Sequence, residues 1–430
     1  MKVLFATEYF HPFEPGGTPW SLRILGDALV RAGVTVAVVT PNYGAAPRET
    51  IDGIDVHRFP FRRRLSPGPS LAPVRDHVRP AFHLAVKRAV LAVGRELGVD
   101  LVHVQEKHSL VGAYLAARRL GVPVVLSLRD FGLLCPIATC LLRRPDVPPD
   151  CGSAKLQREC APAYLDAYIG GSRSRRLRVR AALAVQYLDA CLKSVVVRRV
   201  DAVVGVSDSV LKVYGSAGRV RAGQGRVVHN PASPAPGEAT VDRRAVLAQF
   251  GLPDLPLVLF VGKRSPGKGF PVFVEAAGRV VQDVAAVQFV VVGDGTLTAV
   301  TTGADLRLLG VRPHADVERL LSVADVYVHP AVWPEPFSRA ILEAAAFGTA
   351  IVATRTGGTP ELLDDGATAL LVPPRDAAAL AEAIVTLLRD RALREKLGAR
   401  AREVAGERFA PDGIARELLD VYREVVRRAG

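Results

Sequence analysis

Short apolar runs alternate with helical stretches along this chain in two series, separated by a proline-rich break, NPASPAPGEA, at 230–239. KVLFAT, VTVAVVT, DLVHV, VPVVLSL and DAVVGVS make up the first series. LPLVLFVG, VQFVVVG, LRLLG, ADVYVHP, TAIVAT and TALLVP make up the second. Uninterrupted apolar runs of this length suit strands covered on both faces, and parallel strands need a crossover, usually a helix, between them. Helical stretches at 21–31, at 81–97 and from Phe270 supply those crossovers. Gly33, Gly98 and Gly121 stand just before the next strand, where helix C-termini favour glycine. The pattern predicts an α/β chain with two Rossmann-like, doubly wound domains, at 1–232 and 240–410, and a final helix from about Pro411. Their strand ends define a cleft, the usual ligand position in such sheets. An insertion at 131–195 breaks the rhythm with Pro145, Pro148 and Pro149, four of the five cysteines and the basic run GSRSRRLRVR.

Composition removes several classes. With 49% hydrophobic and 23% charged residues over 430 positions, the chain is globular, and the length agrees with two domains. No apolar run approaches the roughly 18 residues that read as a membrane span, and the first residues read as a strand rather than a leader. An odd number of cysteines adds to the expectation of a cytoplasmic protein. The gaps between Cys135, Cys140, Cys151 and Cys160 lack the paired short spacings of a zinc site and suggest buried thiols. Charge is lopsided: residues 1–230 carry a net +15 and residues 231–430 a net −2. A basic first half points to an anionic partner. Aromatics at 6% and the lack of a recognition module argue against nucleic acid. Arg62, Arg63, Arg64 and the run Arg173, Arg175, Arg176, Arg178, Arg180, the latter followed by the apolar-periodic AALAVQYLDACL, suit an anionic membrane surface, or else a solvated, ion-paired face.

Three stretches carry chemistry. In EPFSRAILE, Glu335 precedes a predicted helix and Glu343 lies within it. Ser338 is a plausible N-cap, so amides around Pro336, Phe337, Ser338 and Arg339 would face a phosphate while the two glutamates accept hydroxyl hydrogen bonds on either side of it. A nucleotide sugar has that order of groups; a capped helix with two solvated glutamates fits the spacing equally well. In GKRSPGKGF, Lys263, Arg264 and Lys268 can neutralise a diphosphate beside glycines that admit its approach. The pair Gly16-Gly17 opens the first helix across the cleft. Neither domain starts with G-x-G-x-x-G, which disfavours a dinucleotide cofactor. No Asp-x-Asp occurs, so neither metal nor cofactor is expected.

In their order, EPFSRAILEAAAFG, TGGTPELL, LLVPPRD, GKRSPGKG and VVGDG resemble the family-4 retaining glycosyltransferases of the GT-B fold. The resemblance covers nearly the whole chain. It implies a nucleoside-diphosphate sugar donor, an acceptor hydroxyl on a lipid-linked, glycolipid or small molecule, and a helix at 411–430 packing back toward the first domain. It also implies sugar and ribose contacts at Glu335 and Glu343, diphosphate contacts at Lys263 and Lys268, and a base near Gly293 and Val311. On the acceptor side it points to His108 and Asp130, while Gln105 and Arg129 stand where the family favours histidine. An epimerase or phosphorylase of the same fold is the rival within it. The only lysine after Lys268, Lys396, lies in a charged helix rather than in a cofactor setting. A non-catalytic polyanion-binding protein is the rival outside it.

Overall fold

The structure, a computed structural model, describes residues 1–140, 151–233, 241–295 and 303–429. Pro145, Pro148, Pro149 and the 234–239 part of the proline-rich break lie outside the described residues. Among the described residues, two sheets account for the strands. The first has eight, in the order β3 (Arg48–Ile51), β4 (Ile54–Pro60), β2 (Thr35–Asn42), β1 (Lys2–Ala6), β5 (Leu101–Val104), β6 (Val124–Leu128), β7 (Ala202–Gly205), β8 (Gly225–Val227). The second has six: β11 (Leu306–Gly310), β10 (Gln288–Val292), β9 (Leu257–Val261), β12 (Val326–His329), β13 (Ala350–Thr354), β14 (Leu370–Val372). All pairings are parallel except β3 with β4. Central strands such as β5, β6 and β10 are buried along their whole length, which is why they read as unbroken apolar runs.

The strands β3, β4 and β8 escaped the sequence reading. The β3–β4 hairpin alternates exposed and half-buried residues in β3 and mostly buried and half-buried ones in β4 instead of running apolar, and it turns at Asp52-Gly53, both at positive φ. Asp-Gly between alternating residues is a hairpin signal that could have found it. Strand β8 is three half-buried residues and leaves no such mark. The helices before β5 and β6 close on Gly98 and Gly121, both left-handed. Without a Cβ, glycine takes that conformation at no steric cost.

The helix Pro411–Ala429, the last in the chain, lies against the first sheet and not the second. Ile414, Leu418, Leu419, Tyr422 and Val425 join one core with Phe5, Leu22, Leu25 and Val204. Tyr422 Oη sits 2.6 Å from Nδ1 of His103, whose Nε2 is 2.9 Å from Ser127 Oγ. His103 is fully buried and held neutral by that burial, so its ring is a structural link, not a proton carrier. Leu418→Ala, at a position 1% exposed, should cost about 2–5 kcal/mol through the cavity it leaves. Urea titration at constant m-value checks this; a shift below the range would show that the helix docks weakly.

Candidate active site

The segment after β12 folds back so that Glu335 and the helix Arg339–Ala346 meet the loop after β9. Val332 N donates to Gly267 O at 3.0 Å. At Gly269, φ is +72° and a Cβ would stand 1.7 Å from Pro330 O, so only glycine lets the two segments approach. Two stretches 67 residues apart are thereby joined: Lys268 Nζ lies 2.7 Å from Glu335 Oε2. That oxygen also accepts from Trp333 Nε1 at 2.8 Å, with His329 Nε2 at 3.6 Å. Burial pushes the Glu335 carboxyl up, but Lys268 and His329 more than offset it and hold it down at about 2. Lys268 lies over the Trp333 ring and stays about three-tenths exposed.

Around this pair, Lys263 is exposed and has no ion-pair partner among the described residues. Arg264 is engaged instead: its amide donates to Asp294 O at 2.7 Å and its guanidinium to Gly295 O at 3.3 Å. Gly293 N donates to Gly310 O, and a Cβ on Gly293 would come within 2.0 Å of Gly262 O. The ends of β9, β10 and β11 therefore form one backbone-lined floor, with Val311 half exposed beside it. Ser338 caps the helix Arg339–Ala346, its Oγ accepting from Ile341 N at 3.4 Å.

The side chains of Phe337, Arg339 and Glu343 are engaged within the protein. The Phe337 ring stacks on His229 at 4.8 Å and packs edge-on against Phe409, because its apolar ring is buried where the two halves meet. The Arg339 side chain is a bridge. Its guanidinium meets Glu343 at 2.9 Å, Ser233 Oγ at 2.6 Å, Pro231 O at 3.2 Å and Ser21 Oγ at 3.3 Å. Glu343 is buried, which raises its pKa, with Arg339 and His314 opposing the rise. It is therefore not the solvated glutamate that spacing alone allowed. Gly17 faces this bridge from the first helix, and a Cβ there would lie 3.2 Å from Arg339 Cβ; Gly16 next to it meets open space. Trp20, one turn on, packs against His314 with the rings tilted and their centroids 4.2 Å apart. Neither Trp20 nor His314 was identified from sequence, since a tryptophan at helical spacing reads as core.

At the end of the first sheet, a cavity of about 90 Å³ is lined by Glu8, Gln105, Glu106, Lys107, Arg129 and Asp130 among others. Asp130 is half exposed there, with its Oδ1 accepting from Gly132 N at 2.7 Å. His108 does not line it. Its ring is buried with Nδ1 3.1 Å from Lys193 Nζ, and burial followed by Lys193 lowers its pKa well below the usual range. The ring is thus held neutral and tied to a lysine. Gln105 and Arg129, the two departures from the histidine pattern, touch one another: Arg129 donates to Gln105 Oε1 at 2.9 Å and to Asn230 Oδ1 at 2.5 Å. One exchange explains the other, because a guanidinium needs the acceptor that an amide supplies.

Burial, reinforced by Glu106, raises Glu8 far above the carboxylate range, and its Oε1 accepts from the His108 and Ser109 amides. An acid raised on folding loses stability as pH climbs from its ordinary value to its folded one. Stability should therefore decline from about pH 5 towards pH 8, and Glu8→Gln should flatten that decline; an identical profile in the variant would remove Glu8 as its source.

Of the basic segments, Arg62 and Arg63 are taken up by Asp76, whose side chain is fully buried and needs the countercharge. They are not a free anionic-surface site. The cysteines are half-buried instead of buried. The Cys160 thiol is pushed up to about 12 by burial and then by Cys135, Cys140 and Cys151. Among the described residues, no group of three or more His, Cys, Asp or Glu side chains could hold a metal ion. No described helix is long and apolar enough to cross a membrane.

A family model described as glycosyl transferase 4-like domain matches residues 16–231, and one described as glycosyl transferases group 1 matches residues 255–390. The chain is 30% identical over 195 residues to an alpha-D-kanosaminyltransferase of Streptomyces kanamyceticus, covering 43% of this chain and 50% of that protein. It is 35% identical over 257 residues to an alpha-maltose-1-phosphate synthase of Mycolicibacterium smegmatis, covering 53% and 64%. The chain thus spans about half to two thirds of the length of these relatives. Among solved structures, HepE of Anabaena in complex with UDP-glucose superposes with a TM-score of 0.68 at 20% identity, over 99% of this chain and 100% of that one.

Proposed function

Because the chain belongs to the glycosyl transferase 4-like and group 1 family and has its GT-B fold, we propose that it moves a sugar from a nucleoside-diphosphate sugar to an acceptor hydroxyl with retention of configuration. The observation that carries this reading is the meeting of Lys268 with Glu335 beside the N-terminus of the helix Arg339–Ala346, with the exposed Lys263 nearby. As the bond from the anomeric carbon to the phosphate oxygen breaks, negative charge gathers on the diphosphate. Lys268, Lys263 and the amides at Ser338 are the groups in position to meet it. The acceptor oxygen bonds to the anomeric carbon from the face the phosphate leaves, and the departing phosphate oxygen takes the acceptor proton. Glu335, ionised and fixed by Lys268 and Trp333, accepts hydrogen bonds from sugar hydroxyls once Lys268 turns to the phosphate. Glu343 and the backbone floor at Gly293 and Val311 are assigned to the ribose and base. Asp130, half exposed in the first-sheet cavity, is assigned to the acceptor. The likeness to HepE, solved in complex with UDP-glucose, supports a nucleotide-sugar donor. The reading includes an anionic membrane surface as partner, supported by the net +15 of residues 1–230.

Thermal unfolding with UDP, GDP, ADP and TDP tests the donor site. A ligand at a hundred times its dissociation constant stabilises by about 2.7 kcal/mol, so one nucleotide should raise the midpoint well above the others. Incubation with the matching nucleotide sugars should then release nucleoside diphosphate faster when acceptor is present. No stabilisation by any nucleotide, with no release from any donor, would overturn the proposal.

A further inference from the structure

The helix Arg173–Val197 has two apolar sides. One is buried, through Leu183, Ala190, Ser194, Val197 and the stem of Lys193. On the other, Leu177, Val185, Leu188, Leu192 and Val195 are 68%, 65%, 63%, 72% and 48% exposed. Ala181 and Ala184, also exposed, fill the spaces between them. At 3.6 residues per turn these positions share an arc of roughly 100° opposite the buried side, with no acidic residue in it. A contiguous exposed apolar stripe of this kind marks an interaction surface.

The flanking charges say what meets it. Arg173, Arg175 and Arg178 are exposed and have no ion-pair partner among the described residues. Their neighbours are tied down, Arg176 to Asp166 at 2.6 Å and Arg180 to the Gln157 carbonyl at 2.9 Å. A second copy of the chain would bring the same unpaired arginines to a stripe with no acid to receive them. An anionic lipid surface supplies both an apolar layer for the leucines and phosphates for the arginines. The helix also borders the catalytic region. Lys193 reaches His108 at 3.1 Å, and Tyr168, just before the helix, accepts from Gly267 N at 3.0 Å, next to Lys268.

We propose that the exposed face of the helix Arg173–Val197 lies on an anionic bilayer and brings the cleft to an acceptor carried in that bilayer. The purpose rests on the glycosyltransferase reading; the docking itself does not. Leucines facing the acyl boundary supply the apolar contact, and the arginines supply the dependence on lipid charge.

Co-sedimentation of the full chain with phosphatidylcholine vesicles, and with mixtures of rising phosphatidylglycerol content, tests it. Binding should rise with anionic lipid and fall with salt, since screening acts over about 8 Å at physiological ionic strength. Leu188→Glu with Leu192→Glu should weaken vesicle binding by about tenfold or more, and Arg173→Gln, Arg175→Gln and Arg178→Gln by about fivefold per charge. Because these side chains point to solvent, nucleotide-induced thermal stabilisation should be unchanged in both sets of variants, which separates loss of docking from misfolding. Wild-type protein left in the supernatant at low salt with anionic vesicles overturns the proposal, as does equal vesicle binding by the leucine variant. A dimer that the leucine variant converts to monomer, with no vesicle binding, would assign the face to a second copy instead. If vesicles bind but no donor releases nucleoside diphosphate, the catalytic reading fails and the docking stands.

Discussion

Lys268→Ala is expected to lower turnover by about two to three orders of magnitude, the range for losing one donor aimed at a transition-state oxyanion. The side chain is partly exposed and, among the described residues, hydrogen-bonds to Glu335 alone, so the fold should survive and circular dichroism should not change. The variant has a second signature in pH. Burial alone would raise Glu335, and Lys268 is the largest influence opposing that. In the wild type the carboxylate contributes fully above the ordinary carboxylate range, and that contribution is lost only as pH falls towards about 2. Without Lys268 the folded pKa rises, so the acid limb of the residual activity should move to higher pH. Lys268→Arg restores the charge and should recover part of the rate and return the acid limb. Wild-type turnover in Lys268→Ala would remove the lysine from the chemistry; a large loss with an unmoved acid limb would show that it acts without Glu335.

Arg339→Ala is expected to destabilise the protein by about 3–5 kcal/mol, the cost of removing one partner from a buried ion pair. Arg339 is 9% exposed and Glu343 5%, so among the described residues Glu343 would be left buried with His314 at 3.8 Å as its remaining ion-pair partner. The same guanidinium links the hinge at Pro231 and Ser233 to Ser21 of the first domain, so the loss reaches both halves. The sign with pH follows from Glu343. Its folded pKa is already raised, first by burial, and removing Arg339 raises it further. The penalty therefore grows as pH rises above the ordinary carboxylate value and shrinks on acidification. Adding Glu343→Gln should recover much of the stability, because it removes the uncompensated charge. Urea midpoints of the two single variants and the double variant measure that coupling. Additive effects, or a shift no larger than that of an exposed arginine, would show that the bridge holds little.

Much of the candidate site was legible in sequence because its parts are local signals. Ser338 before a helix, glycines around Lys268 and a carboxylate just ahead of a cap are read within a few residues of one another. The roles of Phe337 and Arg339 were not legible. Each looks like a residue of a phosphate-facing helix start, yet each points to the other half of the molecule, towards His229 or towards Ser21 and Ser233. The basic segments looked alike as sequence. Arg62 and Arg63 turned out to serve a fully buried Asp76, whereas Arg173, Arg175 and Arg178 remained in solvent. Burial of a distant carboxylate decides such a case, and no local pattern encodes it.

By itself the sequence determined two α/β units, the positions of most strands and the helix stops at Gly98 and Gly121. Each depends on hydrophobic period or on backbone freedom within a few residues. Tertiary structure alone decided that Lys268 meets Glu335 across 67 positions and that Gln105, Arg129 and Asn230 form one cluster. It alone turned a helix with two apolar sides so that only one is covered. Those outcomes depend on sheet order and on which surfaces lose water, and both are set by contacts between residues far apart in the chain.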